Sequence, residues 1–153
     1  MKRRLLLLFC AAASLGAVAL PYDEAADAHA ALQHALAAAQ SARHPVLVIF
    51  GANWCEDCRV LDAALKSGRG AELVAREFEL VKIDVGRFNR NLDIAEAYGN
   101  PIKKGIPAAV VLTADNRVLY ATRAGELADA RRMSETGIHD FFEGVVRSAR
   151  ARP

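Results

Sequence analysis

The chain has little cysteine: three residues in 153, at positions 10, 55 and 58. So few thiols exclude a disulfide-stapled scaffold, which needs several pairs spread along a short chain. A closed zinc site needs four ligands, and neither a second Cys-x-x-Cys nor a histidine pair accompanies Cys55 and Cys58. His29 and His34 are five residues apart and share no helical face, while His44 and His139 have no neighbouring ligand, so no metal site is expected. Arg59, not histidine, follows Cys58, which removes covalent haem attachment. Gly-x-Gly-x-x-Gly does not occur, so neither a flavin nor a nicotinamide cofactor is expected. Any electrons the chain handles must come from another molecule.

Long apolar runs are scarce too. Leu5 to Leu20 is one, preceded by basic Met1-Lys2-Arg3-Arg4 and carrying small residues at Ala17-Val18-Ala19, the pattern of a secretory signal cleaved near Ala19. Its 16 residues fall short of the ~20 of a spanning helix, which leaves an uncleaved membrane tether as the second reading. A lipid anchor on Cys10 fits less well, because Phe9 is bulky where a small residue belongs and the apolar stretch before it is short. Residues 1–19 therefore read as a signal peptide and 20–153 as one domain, exported to the periplasm or its equivalent. Without the leader the basic residues fall from 20 to 17 against 18 acids, and the formal charge passes from +2 to −1. A domain so balanced offers no nucleic-acid surface and no polybasic membrane patch. With 53% hydrophobic residues the chain can bury one core of ordinary size, and no second domain is expected.

Once the leader is set aside, Cys55 and Cys58 are the remaining cysteines, and both lie in Gly51-Ala52-Asn53-Trp54-Cys55-Glu56-Asp57-Cys58-Arg59. The motif directly follows the apolar run Val46-Leu47-Val48-Ile49-Phe50, where a helix begins. Unsatisfied N–H groups and the positive end of the helix dipole stabilise a thiolate on the first cysteine. Cys55 is then the nucleophile, and Cys58, one turn on, attacks the mixed disulfide and releases the reduced product. This points to redox chemistry.

Periodicity organises the rest of the chain. Tyr22, Ala25, Leu32, Leu36 and Ala39 recur at helical spacing, which predicts an amphipathic helix over 23–42, ended by His44-Pro45. Val46 to Phe50 does not alternate and reads as a strand buried on both faces. Helical character resumes from Cys55 through Leu65, Ser67-Gly68-Arg69-Gly70 breaks it, and a short helix over 71–76 leads to a strand over 78–85. A polar loop, Gly86 to Arg90, precedes a short helix from Leu92 to Tyr98, closed by Gly99-Asn100-Pro101. Strands at 108–113 and 118–122 form a closing hairpin across Ala114 to Arg117, and Ile138, Phe141, Phe142, Val145 and Val146 mark a final helix. The order describes an α/β domain with a central mixed sheet of about four to five strands and helices on both faces.

This order, with Trp54-Cys55-x-x-Cys58 after the first core strand and Gly105-Ile106-Pro107 before the third, resembles the thioredoxin superfamily over roughly residues 22–148. The Gly-Ala-Asn-Trp-Cys lead-in, Lys82-Ile83-Asp84-Val85-Gly86 and Gly105-Ile106-Pro107-Ala108 are similar to bacterial exported thiol-disulfide interchange proteins and disulfide isomerases. The resemblance implies a thioredoxin-like fold, a cis Pro107 facing the disulfide, and an Ile106 backbone that pairs with an extended substrate segment. It also implies a protein-disulfide reductase or isomerase.

Two departures from the superfamily pattern bear on potential. Glu56 and Asp57 stand between the cysteines where thioredoxins have Gly-Pro, and their charge opposes a thiolate on Cys55. A less stabilised thiolate is a poorer leaving group, so the pair reads as a reductant. Ile49 stands six residues before Cys55, where thioredoxins keep a buried acid; Glu56 or Asp57 acting through water is one substitute, and plain solvated helix-start acids are the alternative. Trp54 is expected to pack beside the thiols, Arg59 to offset the two acids, and Arg131-Arg132 to be a surface loop.

Three functions compete. A thiol-disulfide oxidoreductase acting on cysteine-containing exported proteins leads, recharged by a membrane or soluble thiol-disulfide partner. A copper-binding module or metallochaperone using the same thiolates is the alternative, weakened by the lack of a nearby third Met or His ligand. A docking domain without redox activity has no use for a reactive pair. No segment suggests dimerisation, so a monomer is expected.

Overall fold

The computed structural model describes residues 19–151, so the leader and Cys10 lie outside the described residues. Strand β1 (Val46–Gly51) is buried at all six positions and is the axis of the fold. It is paired on both sides, in parallel with β2 (Glu79–Asp84) and antiparallel with β3 (Ala108–Leu112), and β4 (Val118–Ala121) closes the order β2-β1-β3-β4. Backbone pairing on both edges together with helices on both faces is what demands apolar side chains without alternation.

Each face has its own core. Val46, Val48 and Phe50 pack with Leu32, Leu36 and Ala39 of α1 (Ala28–Ala42) and with Ile94 of α4 (Leu92–Ala97). Leu47 and Ile49 face the other way, toward Leu61 and Leu65 of α2 (Glu56–Lys66), Leu73 of α3 (Gly68–Glu77) and Phe142 of α5 (Glu135–Arg150). The helix–sheet–helix layering expected from the sequence is the observed one, with four strands among the described residues.

The helix starts differ from expectation for local reasons. α1 begins at Ala28, not near Asp23, because the Asp27 carboxylate accepts the Ala30 N–H at 3.0 Å and caps the helix there. Asp23 instead accepts the Ala25 N–H in a turn, and Tyr22 lies ahead of the helix. The glycines at 68 and 70 open α3 where a break was expected. Gly70 has a packing reason: a Cβ there would come within 1.9 Å of the Ala64 carbonyl oxygen, so only a glycine lets α3 start against the end of α2. A 3-10 turn, Pro101–Lys104, and another, Ala130–Arg132, fill connections read as plain loops.

Replacing Gly70 with alanine is expected to destabilise the domain by about 1–3 kcal/mol through overpacking. Gly144→Ala, inside α5 where a Cβ would meet nothing closer than an arginine tip at 3.7 Å, is expected to stabilise by about 0.5–1 kcal/mol. Urea unfolding of the two variants checks both signs.

Candidate active site

The C-terminal end of β1 delivers the motif. Ala52 to Trp54 turn the chain, and Cys55 sits at the N-cap of α2, where its Sγ accepts the Cys58 N–H at 3.1 Å. A sulfur in the capping position faces the orphan donors of the helix start, the arrangement that favours a thiolate on Cys55. Cys55 and Cys58 are joined as a disulfide, with Cα atoms 5.2 Å apart. Cys55 retains 5% of its surface, whereas Cys58 has none, so the first cysteine is the one an incoming partner reaches.

Facing the pair is the cis Ile106–Pro107 bond, with the Ile106 carbonyl oxygen 3.7 Å from Cys55 Sγ. Trp54, expected to shield the thiols, keeps much of its own surface in solvent. It is 47% exposed, donates its indole N–H to the Gly86 carbonyl at 2.8 Å, and meets Phe88 edge-on with ring centroids 6.4 Å apart. Phe88, also exposed, lines a 290 Å³ pocket with Leu92, Ile102 and Gly105 and the polar Glu96, Asn100 and Lys103.

The two acids of the motif have different surroundings. Glu56 is exposed, but Asp57 is 7% exposed and accepts the backbone N–H of Arg131 at 2.9 Å. The Arg131 guanidinium stands 3.3 Å from Glu56 and 3.6 Å from Asp57, so one cation screens both carboxylates. Arg59, expected in that role, instead donates to the Asn53 carbonyl at 3.2 Å. Sequence reasoning missed Arg131 because 74 residues separate it from Asp57, and the link depends on the 3-10 turn Ala130–Arg132 docking on α2.

Asn53 was missed as well. Its amide oxygen accepts the Tyr22 N–H at 2.9 Å, and its amide nitrogen donates to the Tyr22 carbonyl at 2.8 Å and to Glu24 at 2.9 Å. The segment before α1 is thereby pinned to the active-site turn. A buried amide just ahead of the Trp-Cys pair was the available signal, since such a group must find partners. Close by, Lys82 binds Asp62 at 2.6 Å, and burial lowers its pKa against the raising effect of that bond. Among the described residues no group of three or more His, Cys, Asp or Glu side chains is placed to hold a metal ion.

A sulfur-capped helix start, a two-residue Cys spacing and an opposed cis proline define a thioredoxin-fold dithiol centre. The Thioredoxin-like family model matches residues 27–114, and the chain belongs to that family. A disulphide isomerase from Xylella fastidiosa Temecula1 is 53% identical over 84% of this chain and 98% of its own, with a TM-score of 0.82. A thioredoxin from Thermus thermophilus (18% identity, 74% of this chain and 80% of its own, TM-score 0.53) shares the fold. The reduced C-terminal domain of DsbD from Neisseria meningitidis does so too (24% identity, 78% and 96%, TM-score 0.51). Curated protein sequences returned no match. With this family and this disulfide, the chain is a thiol-disulfide oxidoreductase.

Arg131→Ala should leave the two motif acids unscreened. The Cys55 thiolate is expected to become less favourable and the reduction potential to fall, modestly because the guanidinium is half exposed. Thiolate absorbance against pH and glutathione equilibration read the two quantities; a rise in potential would reverse the assigned role of Arg131.

Proposed function

We propose that this oxidoreductase reduces or isomerises disulfides in exported proteins and does not act as an oxidase. The observation that carries the reading is Asp57, a carboxylate buried inside the Cys-x-x-Cys turn next to the nucleophile. Negative charge fixed there makes the Cys55 thiolate less favourable than in a motif without acids, so the dithiol gives up its electrons more readily. Arg131 reduces this effect without abolishing it, being itself half exposed to solvent. The likeness to a protein described as a disulphide isomerase supports disulfide exchange on protein substrates.

The substrate is a cysteine-containing polypeptide. Its backbone pairs with Ile106 next to Pro107, and an apolar or aromatic residue near its cysteine enters the pocket formed by Phe88, Leu92 and Ile102 beside exposed Trp54. Reduced Cys55 attacks the substrate disulfide, Cys58 displaces the substrate thiol, and a thiol-disulfide partner outside the chain, soluble or in the membrane, restores the dithiol. The leader over residues 1–19 supports export with cleavage near Ala19, and the domain over 20–153 acts as a monomer. Among the described residues no helix is long and apolar enough to cross a membrane.

The reduction potential of the Cys55/Cys58 pair tests the direction. A value near about −270 mV is the expected result for a reductant, and one near or above about −180 mV would mean an oxidant or isomerase and overturn the reading of the two motif acids. Cys55→Ser is expected to abolish disulfide reduction, and Cys58→Ser to accumulate mixed disulfides with exported proteins. A Cys58→Ser protein that captures none in its native compartment would remove the proposed substrate class.

A further inference from the structure

Cys58 is fully buried, yet its thiol must lose a proton before it can displace a substrate from Cys55. β1 offers it no polar side chain: Ile49 and Phe50 are apolar and Gly51 has none. The space left by Gly51 is filled from elsewhere. A Cβ at Gly51 would come 2.1 Å from the Tyr22 hydroxyl oxygen, 2.5 Å from its Cζ and 2.9 Å from Cys58 Sγ. The phenol and the resolving sulfur therefore share one niche over a glycine that must stay a glycine.

Tyr22 does not reach this niche by chance packing. It is 3% exposed, and Asn53, two residues before Cys55, holds its backbone at both the N–H and the carbonyl. Asp84 is the register partner of Gly51 across the parallel β1–β2 pair, so its side chain leaves the sheet on the same face as the niche. Its carboxylate is buried and forms an ion pair with Arg90 Nη1 at 3.3 Å, while neither oxygen has a hydrogen-bond partner. With an ion pair but no hydrogen bond, this buried carboxylate keeps free acceptor capacity. Asp62, four residues past Cys58, is already engaged by Lys82 at 2.6 Å and Lys66 at 2.7 Å. Burial, then the charges of Asp62 and Asp84, raise the Tyr22 pKa far above that of a free phenol, so the hydroxyl keeps a proton throughout.

We propose that the Tyr22 hydroxyl relays the proton of Cys58 to Asp84 and then donates a hydrogen bond to the Cys58 thiolate. The Cys58 S–H proton passes to the phenol oxygen as the phenol proton passes to the Asp84 carboxylate, and the tyrosine stays neutral. The Cys58 electron pair then forms the bond to Cys55 Sγ, the bond between Cys55 and the substrate sulfur breaks, and that sulfur leaves as a thiolate. No electrons enter or leave beyond the two that reduce the substrate. The relay rests on the oxidoreductase activity and holds whether the protein works as reductase or isomerase.

The test mixes the reduced full-length domain with a disulfide-linked model peptide, quenches with acid, and follows the Cys55 mixed disulfide by mass spectrometry. Tyr22→Phe keeps the ring and removes the hydroxyl. It is expected to lengthen the mixed-disulfide lifetime by about tenfold or more at neutral pH. That difference is expected to shrink above the ordinary thiol pKa of about 8.5, where hydroxide takes the proton instead. Asp84→Asn should slow resolution in the same way, and the double variant should be no slower than the slower single one, because both act on one step. An unchanged lifetime in Tyr22→Phe, or effects of the two substitutions that multiply, would overturn the relay. Thermal unfolding of each variant separates these results from loss of fold. A wild-type protein that forms no mixed disulfide at all would instead sink the redox reading itself.

Discussion

Every group at the redox centre is placed by the complete burial of β1. A strand with partners along both edges and helices over both faces can carry no polar side chain along its length. Polar chemistry is therefore confined to its C-terminal end, where the chain leaves the sheet and the first turn of α2 supplies unsatisfied N–H groups. Cys55 sits where the backbone changes from one hydrogen-bonding scheme to the other. Its sulfur fills the cap that a serine or aspartate occupies in other helices.

Around that point the protein brings together four stretches that are distant in sequence. The turn before α1 arrives through the Asn53 clamp, the cis-proline segment through the start of β3, the 3-10 turn at 130–132 through Asp57, and the loop after β2 through Trp54. Three of these connections are one or two hydrogen bonds, worth little singly but costly to leave unmade in a buried setting, and the fourth is the close approach of the Ile106 carbonyl to Cys55 Sγ. The centre is buried on its inner side and open on its outer side, where Trp54 and Phe88 stay exposed. That asymmetry suits a site that must shield one thiol and present the other.

The sequence was most readable where a residue pattern has a single physical solution. The non-alternating run 46–50 reads only as a strand covered on both faces, and the motif at its end predicts the sulfur-capped helix start. Reading was poorer where the decisive partner is remote. Arg59 is adjacent to the motif and Arg131 is far from it, yet Arg131 meets both acids while Arg59 turns to the Asn53 carbonyl. Tyr22 fitted the periodicity of α1, but the Asp27 cap ended that helix first and freed the tyrosine for another use. A cap is a local competition between side chain and backbone, and periodicity alone is blind to it.

By itself the sequence determined the layered α/β fold and the pair of cysteines that form the disulfide. Hydrophobic period and the Cys-x-x-Cys spacing are local properties that survive in one dimension. Tertiary structure decided the environment of those thiols: which cation screens the acids, which aromatic lies over Gly51, and which carboxylate is buried without a hydrogen bond. Electrostatic effects depend on distance and burial, and neither exists until strands and helices from separate parts of the chain have packed.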